Sequence, residues 1–389
     1  MNPSTGGWIT KLLKLLSQNH LFLNQSEVSF YYRLQESGFI YGNHKDVIVP
    51  LTDSVQLTDE EICKINLFTA LYITHYKSNC NQSFLENIIE YYKGINGYRS
   101  SSFNIFPNRY SNTVIEKIIH RRVQIDDNIL IKNFNYFVIN ALLYIDVLGY
   151  KKFIAKKSIS INYIKKLEAS IAKIVLDVLH SKINKTSYDE SLIKLFESSM
   201  RFHDNTRTTQ KEAIKNLKSD HEKWYLFDIA CMSTWSEKII NKKEQQFLHS
   251  LGKKLQLSEK LISNSIISVN KFYEKNKDDV FLLSSQNIVK NFYRNSSKII
   301  YKLVVRNKKR LKKELQQSKR LMALLSQSTN RTLTNKENEE LQDQLFNIIK
   351  TIPSLAIFLL PGGAILLPIF IKLIPKLLPS TFDDNRVED

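Results

Sequence analysis

The sequence predicts an all-α protein, and three observations carry that prediction. Glycine (10) and proline (8) are scarce in 389 residues, against averages of about 7% and 5%. Apolar residues recur at helical spacing along most of the chain. Capping-box signals, a threonine followed three residues later by glutamate, precede two of the clearest periodic runs.

Length and composition set the outer bounds. The chain has room for two or three domains, and 43% hydrophobic with 11% aromatic residues is ample for a core. A net charge of +18 at pH 7 and a pI of about 9.5 point to an anionic partner, either phospholipid headgroups or RNA. Compositional bias toward lysine accounts for the bulk of that charge, but not for its local clusters. Cys63, Cys80 and Cys231 have no close spacing, so neither a disulfide framework nor a zinc site is expected. The histidines are scattered, no HExxH occurs, and His203-Asp204 beside Arg201 and Arg207 has no neighbouring nucleophile. No enzyme is expected.

Taken in order, the chain opens on the amphipathic run Trp8 to Leu16, whose lysines interrupt what would be a signal-peptide core. It either packs on its own domain or lies on a membrane surface. Thr58-Asp59-Glu60-Glu61 is a capping box, after which Ile62, Ile65, Phe68, Leu71 and Tyr72 share a helical face. Further helices are expected at 83–94, 112–124, 133–155, 160–181 and 187–202, with Phe134 to Val147 as the central helix of an N-terminal domain, residues 1–205. Trp224, Leu226, Phe227, Ala230, Cys231 and Trp235 form one face of the next helix, and another begins at Asn241.

The densest basic cluster follows: Arg306, Lys308, Lys309, Arg310, Lys312 and Lys313. It is expected on one continuous helix from Gln286 to Leu325, within a basic juxtamembrane unit at 285–350. Such a cluster suits anionic lipid or RNA phosphates. No aromatics are interleaved, so base stacking is not indicated. Thr334 to Glu337 begins another helix by the capping-box pattern, leading into residues 351–382.

Those residues, IPSLAIFLLPGGAILLPIFIKLIPKLLPSTF from Ile352, carry no charge from Pro353 to Ile371. A membrane span needs about 20 such residues. Pro361, Pro368 and Pro375 recur every seventh residue, flanked by Pro353 and Pro379. In a continuous helix they fall near one face and strip one stripe of backbone of its partners. That favours self-association into a homo-oligomer or a wet seam. Pro361-Gly362-Gly363 is a turn signal. A kinked single span and a re-entrant hairpin both fit, and so does a very apolar buried helix. The tail, residues 383–389, is acidic, so the positive-inside rule places the bulk of the chain in the cytoplasm.

The succession Ile352-Pro353, Leu359-Leu360-Pro361, Leu366-Leu367-Pro368, Leu373-Ile374-Pro375 and Leu377-Leu378-Pro379-Ser380-Thr381-Phe382 resembles the membrane segment of the LETM family. The resemblance implies an inner-membrane protein linked to potassium/proton or calcium/proton homeostasis and to ribosome binding. Bacterial LETM-related proteins include a biofilm-associated type. Two departures stand out. The family's ribosome-binding helical domain follows its membrane segment, whereas here only Asp383 to Asp389 follow, and no EF-hand loop is present. Asp228-Ile229-Ala230, Trp235-Ser236-Glu237 and Ile240 to Glu244 resemble a TerB-like helical domain, placed at 206–284. In that family acidic residues hold a metal, which would fall here on Asp228, Glu237 and Glu244 and suit a divalent cation.

The expected protein is therefore a helical body with a TerB-like subdomain and a C-terminal membrane segment. Its expected place is the bacterial inner membrane, in contact with lipid, acting in cation/proton homeostasis or membrane organisation. A tether that binds ribosomes through its basic helix is a second reading, and a soluble helical scaffold a third.

Overall fold

The computed structural model describes residues 1–50, 56–95, 111–123, 140–182, 185, 189–190, 193, 208–234, 242–276, 288–359 and 366–378. The described residues form α-helices and one 3₁₀ helix, with no strand among them. In chain order the helices are α1 (Trp8–Gln18), α2 (His20–Leu23), α3 (Glu27–Glu36), α4 (Asp59–Lys77), α5 (Phe84–Gly94), α6 (Asn112–Val123), α7 (Tyr144–Lys156) and α8 (Ile161–Ser181). They continue as α9 (Gln210–Asn216), α10 (Asp220–Thr234), α11 (Lys242–Lys254), α12 (Glu259–Asn276), α13 (Ile288–Arg306), α14 (Lys308–Gln316), α15 (Lys319–Asn330) and α16 (Asn335–Thr351). The 3₁₀ helix Pro353–Leu359 and α17 (Leu367–Leu377) complete the set.

Two hydrophobic cores organise these elements. The first runs from Trp8 to Tyr273 and draws on α1 through α12. The helices expected as a separate unit at 206–284 thus share one core with those before residue 205. The second core holds Ile300 to Leu378 and unites the expected 285–350 and 351–382 units.

Within the first core, α4 begins at its capping box: Thr58 Oγ1 accepts from the Glu61 amide, and the Glu61 carboxylate accepts from the Thr58 amide at 2.9 Å. Nearly every side chain from Glu61 to Leu71 is buried, so α4 is covered all round. The same holds for α10. The central helix expected at Phe134–Val147 is described only from Asn140, and Tyr144 onward belongs to α7. Residues 187–202 fall mostly outside the described residues.

Close approach explains one glycine. A Cβ on Gly149 would meet Ile164 Cδ1 and the Tyr91 hydroxyl, each at 2.6 Å, so α7 packs on α8 and α5 only with hydrogen at that position. The N-terminal run packs on its own body. Trp8 meets Phe68 edge to face at 5.8 Å, the Ile9 amide donates to Glu116 at 3.2 Å, and Trp8, Ile9, Leu12 and Leu16 are buried.

The first core also holds a buried ion pair. The Arg122 guanidinium donates to both Asp146 carboxylate oxygens, through Nε at 2.5 Å and through Nη2. The Tyr92 hydroxyl donates to Asp146 Oδ2 at 3.1 Å, and the Tyr91 hydroxyl to the Asp146 carbonyl at 2.9 Å. Burial opposes the charge on Arg122, but Asp146 outweighs it and raises the guanidinium's pKa.

Candidate functional site

The second core is where the basic cluster and the apolar segment meet. The continuous helix expected from Gln286 to Leu325 is three helices instead, broken at Asn307 and at Gln317-Ser318. The reason is local. Asn307 Nδ2 donates back to the Leu303 carbonyl at 2.7 Å, and Ser318 Oγ caps α15 by accepting from the Leu321 amide at 3.2 Å. The breaks fold α13, α14 and α15 around Leu303, Val304, Leu311, Leu315, Leu321 and Leu324, all buried.

Helix α16 starts as expected. Thr334 caps it, and the Arg331 guanidinium donates to the Glu337 carboxylate at 2.6 and 2.9 Å. Arg331 and Thr334 together hold the Glu337 carboxyl down to about 2.

The apolar segment does not continue α16. The chain leaves that helix at Ile352, forms the 3₁₀ helix Pro353–Leu359, and resumes as α17. No helix among the described residues is long and apolar enough to cross a membrane. At about 1.5 Å per residue, the 11 residues of α17 reach about half of the roughly 30 Å hydrocarbon layer. The two arms pack together: Phe358 and Phe370 have ring centroids 4.7 Å apart, and Leu355, Leu366, Leu367, Ile374 and Leu378 are buried with them. Among the described residues the segment is thus two short arms packed on each other.

The proline stripe is likewise not seen as one helical face. Pro353 opens the 3₁₀ helix, Pro368 is exposed in the first turn of α17, where no amide donor is needed, and Pro375 lies half-buried inside α17. Pro361, Gly362, Gly363 and Pro379 lie outside the described residues.

The basic cluster divides into two groups. Arg306 is nearly buried and donates to Glu61 Oε2 at 2.6 Å, while Lys302 donates to the Leu57 carbonyl at 3.0 Å. Glu61 also accepts from Ser4 Oγ at 2.5 Å, so the cap of α4 doubles as the docking point for α13. Arg310 donates to the Thr351 carbonyl, and Lys312 is half-buried. Lys308, Lys309 and Lys313 are exposed and pair with no carboxylate among the described residues. No acidic side chain lies in the first turn of α14, where the helix dipole favours anions.

The expected metal ligands are placed differently from a turn site. Asp228 sits in the middle of α10, fully buried, and its Oδ2 accepts from the Tyr31 hydroxyl and from Gln35 Nε2, each at 2.7 Å. Burial pushes this carboxyl up to about 7, against the hydrogen bonds from Tyr31, Ser265 and Gln35 that favour its ionised form. Glu244 is partly exposed on α11, and Glu237 lies outside the described residues. No three metal-ligating side chains converge among the described residues.

Sequence reasoning missed Tyr31, Gln35 and Ser354, and the docking role of Glu61. Their partners are dozens to hundreds of residues away, and only Glu61 carried a local signal, as a cap.

Comparisons with known proteins find one family model and two curated relatives. A family model described as LETM1-like, RBD matches residues 333–389. The match therefore takes in α16 and the apolar segment. A Drosophila melanogaster protein named mitochondrial proton/calcium exchanger protein is 40% identical over 55 residues, 14% of this chain and 5% of that protein. LETM1 domain-containing protein YLH47, mitochondrial, of Saccharomyces cerevisiae is 33% identical over 63 residues, 16% of this chain and 14% of that protein. The chain thus spans a small part of the length of either relative. No solved structure matches it. The C-terminal segment is LETM-like, and the protein around it is all-α.

Proposed function

We propose that this chain is a LETM-type protein that works at a membrane in cation/proton homeostasis. The observation that carries the reading is the LETM1-like match at 333–389, which falls on the uncharged, proline-punctuated arms. One of the relatives, 40% identical over 55 residues, is named a proton/calcium exchanger. The bacterial inner membrane, with the lysine-rich bulk on the cytoplasmic side, is the proposed location. In this reading α9 to α12 belong to the TerB-like part of a helical body that carries the anchor. Self-association through the proline-rich arms and membrane organisation of the biofilm-associated type are part of the same proposal.

The test is ion flux. Proteoliposomes holding the full chain are expected to exchange K⁺ or Ca²⁺ for H⁺ under an imposed gradient. Replacing Pro361, Pro368 and Pro375 with leucine lowers that rate. Flux equal to empty vesicles for both cations, or unchanged by the substitutions, counts against the reading.

Burial of both arms in the second core favours a scaffold as the alternative. That reading predicts recovery in the supernatant without detergent. Ribosome tethering through Lys308 to Lys313 predicts salt-dependent co-sedimentation with ribosomes, lost on charge reversal there.

A further inference from the structure

Two contacts tie the start of the apolar segment to the basic helix. Ser354 Oγ donates to Asn307 Oδ1 at 3.0 Å, and the Arg310 guanidinium donates to the Thr351 carbonyl. Asn307 separates α13 from α14, and Thr351 ends α16, so both ties sit where charged chain gives way to apolar chain. Beside them α14 turns Leu311 and Leu315 into the core. Lys309 and Lys313, one helical turn apart, are thereby left on its outer face, and Lys308 is exposed as the helix's first residue. Lys350, also exposed, precedes Thr351 directly, the residue whose carbonyl Arg310 holds. None of these lysines pairs with a carboxylate among the described residues. At the far end of the first arm, Leu359 is already 44% exposed.

We propose that this lysine edge docks on anionic phospholipid headgroups, and that docking opens the two ties and lets both arms exchange the protein core for acyl chains. The inference rests on the reading that the chain works at a membrane, and it names how the chain would engage one. Acyl chains are as apolar as leucine, so Leu355, Phe358, Phe370 and Ile374 lose no burial in the exchange. What holds the closed form is then the polar ties together with the cover the arms give to the rest of the second core, and what opposes it is lysine attraction to the negative surface. RNA is the poorer fit, because α14 offers no aromatic side chain for a base to stack on and the lysines adjoin apolar arms.

The test is flotation of the full chain with phosphatidylglycerol/phosphatidylcholine vesicles. Lys308→Glu, Lys309→Glu and Lys313→Glu together are expected to lower the partition coefficient by about 100-fold or more. All three side chains are exposed, so the helical circular dichroism stays unchanged. The second arm uses one protein in two states, carrying Asn307→Cys, Ser354→Cys and Leu359→Trp. With the cysteine pair oxidised it floats, but brominated acyl chains do not quench the added tryptophan; with the pair reduced they do. Equal binding to phosphatidylcholine alone, or the same quenching in both states, overturns the proposal. Binding to RNA with none to vesicles also overturns it, and assigns the edge to nucleic acid. Flotation does not depend on transport, so loss of flux with flotation intact sinks the homeostasis reading and leaves this one standing.

Discussion

Replacing Asp146 with alanine lowers the unfolding free energy by about 3–5 kcal/mol, because it leaves the Arg122 charge buried with no counter-ion. Both side chains are almost fully removed from solvent, at 5% and 1% exposure. Arg122 reaches Asp146 through two nitrogens, and Tyr92 donates to the same carboxylate, so the substitution orphans a hydroxyl as well. The Arg122 ring contact, 5.8 Å above Tyr92, does not replace the lost charge. Removing both partners, as Arg122→Leu with Asp146→Leu, costs much less than Asp146→Ala alone, since no unpaired ion is left in the core. Urea unfolding of the two variants checks this. A loss below about 1 kcal/mol for Asp146→Ala, the size typical of exposed pairs, contradicts it.

Asp228→Asn stabilises the protein at pH 8 and has little effect at pH 4. The sign follows from the direction of the shift. The carboxyl titrates at about 7 in the folded chain and at an ordinary 3.8 unfolded. Below 3.8 both states hold the proton and nothing changes. Between 3.8 and about 7 only the folded state keeps it, so stability falls as pH rises through that window and stays low above it. About three pH units at about 1.4 kcal/mol each amount to roughly 4 kcal/mol. Asparagine stays neutral and still accepts from Tyr31 and Gln35. Its amide takes the place of Asp228 Oδ1, which accepts no hydrogen bond among the described residues. Comparing variant with parent in urea at each pH cancels the other titrations. A variant less stable than its parent at pH 8 refutes the assignment, and a gain at pH 4 as large as at pH 8 refutes the titration.

These two sites mark how far the sequence could be read. Caps are local, so Thr58 with Glu61 and Thr334 with Glu337 were legible as helix starts, and both form. The periodic runs at 83–94, 112–124 and 160–181 were legible for the same reason: a 3.6-residue repeat is a property of neighbours. Asp146 was visible only as a charge interrupting an apolar run, with nothing to say that Arg122 meets it. Asp228 lies 197 residues from Tyr31 and 193 from Gln35, and no spacing rule spans such distances.

The candidate site was half legible. Lysine density and the uncharged segment showed in the residues themselves, and so did the LETM resemblance. The break at Asn307 did not, because lysine, arginine and leucine on both sides are good helix formers and the Asn307 side chain is also held by Ser354, 47 residues away. Nor could composition tell whether lipid or protein covers the arms. Both remove the same apolar surface from water.

That question is also the one on which the functional account turns. Membranes from cells expressing the full chain, washed with alkaline carbonate, are expected to retain it in the pellet, with the arms from Pro353 onward protected from added protease. Complete release of the intact chain into the supernatant contradicts the account.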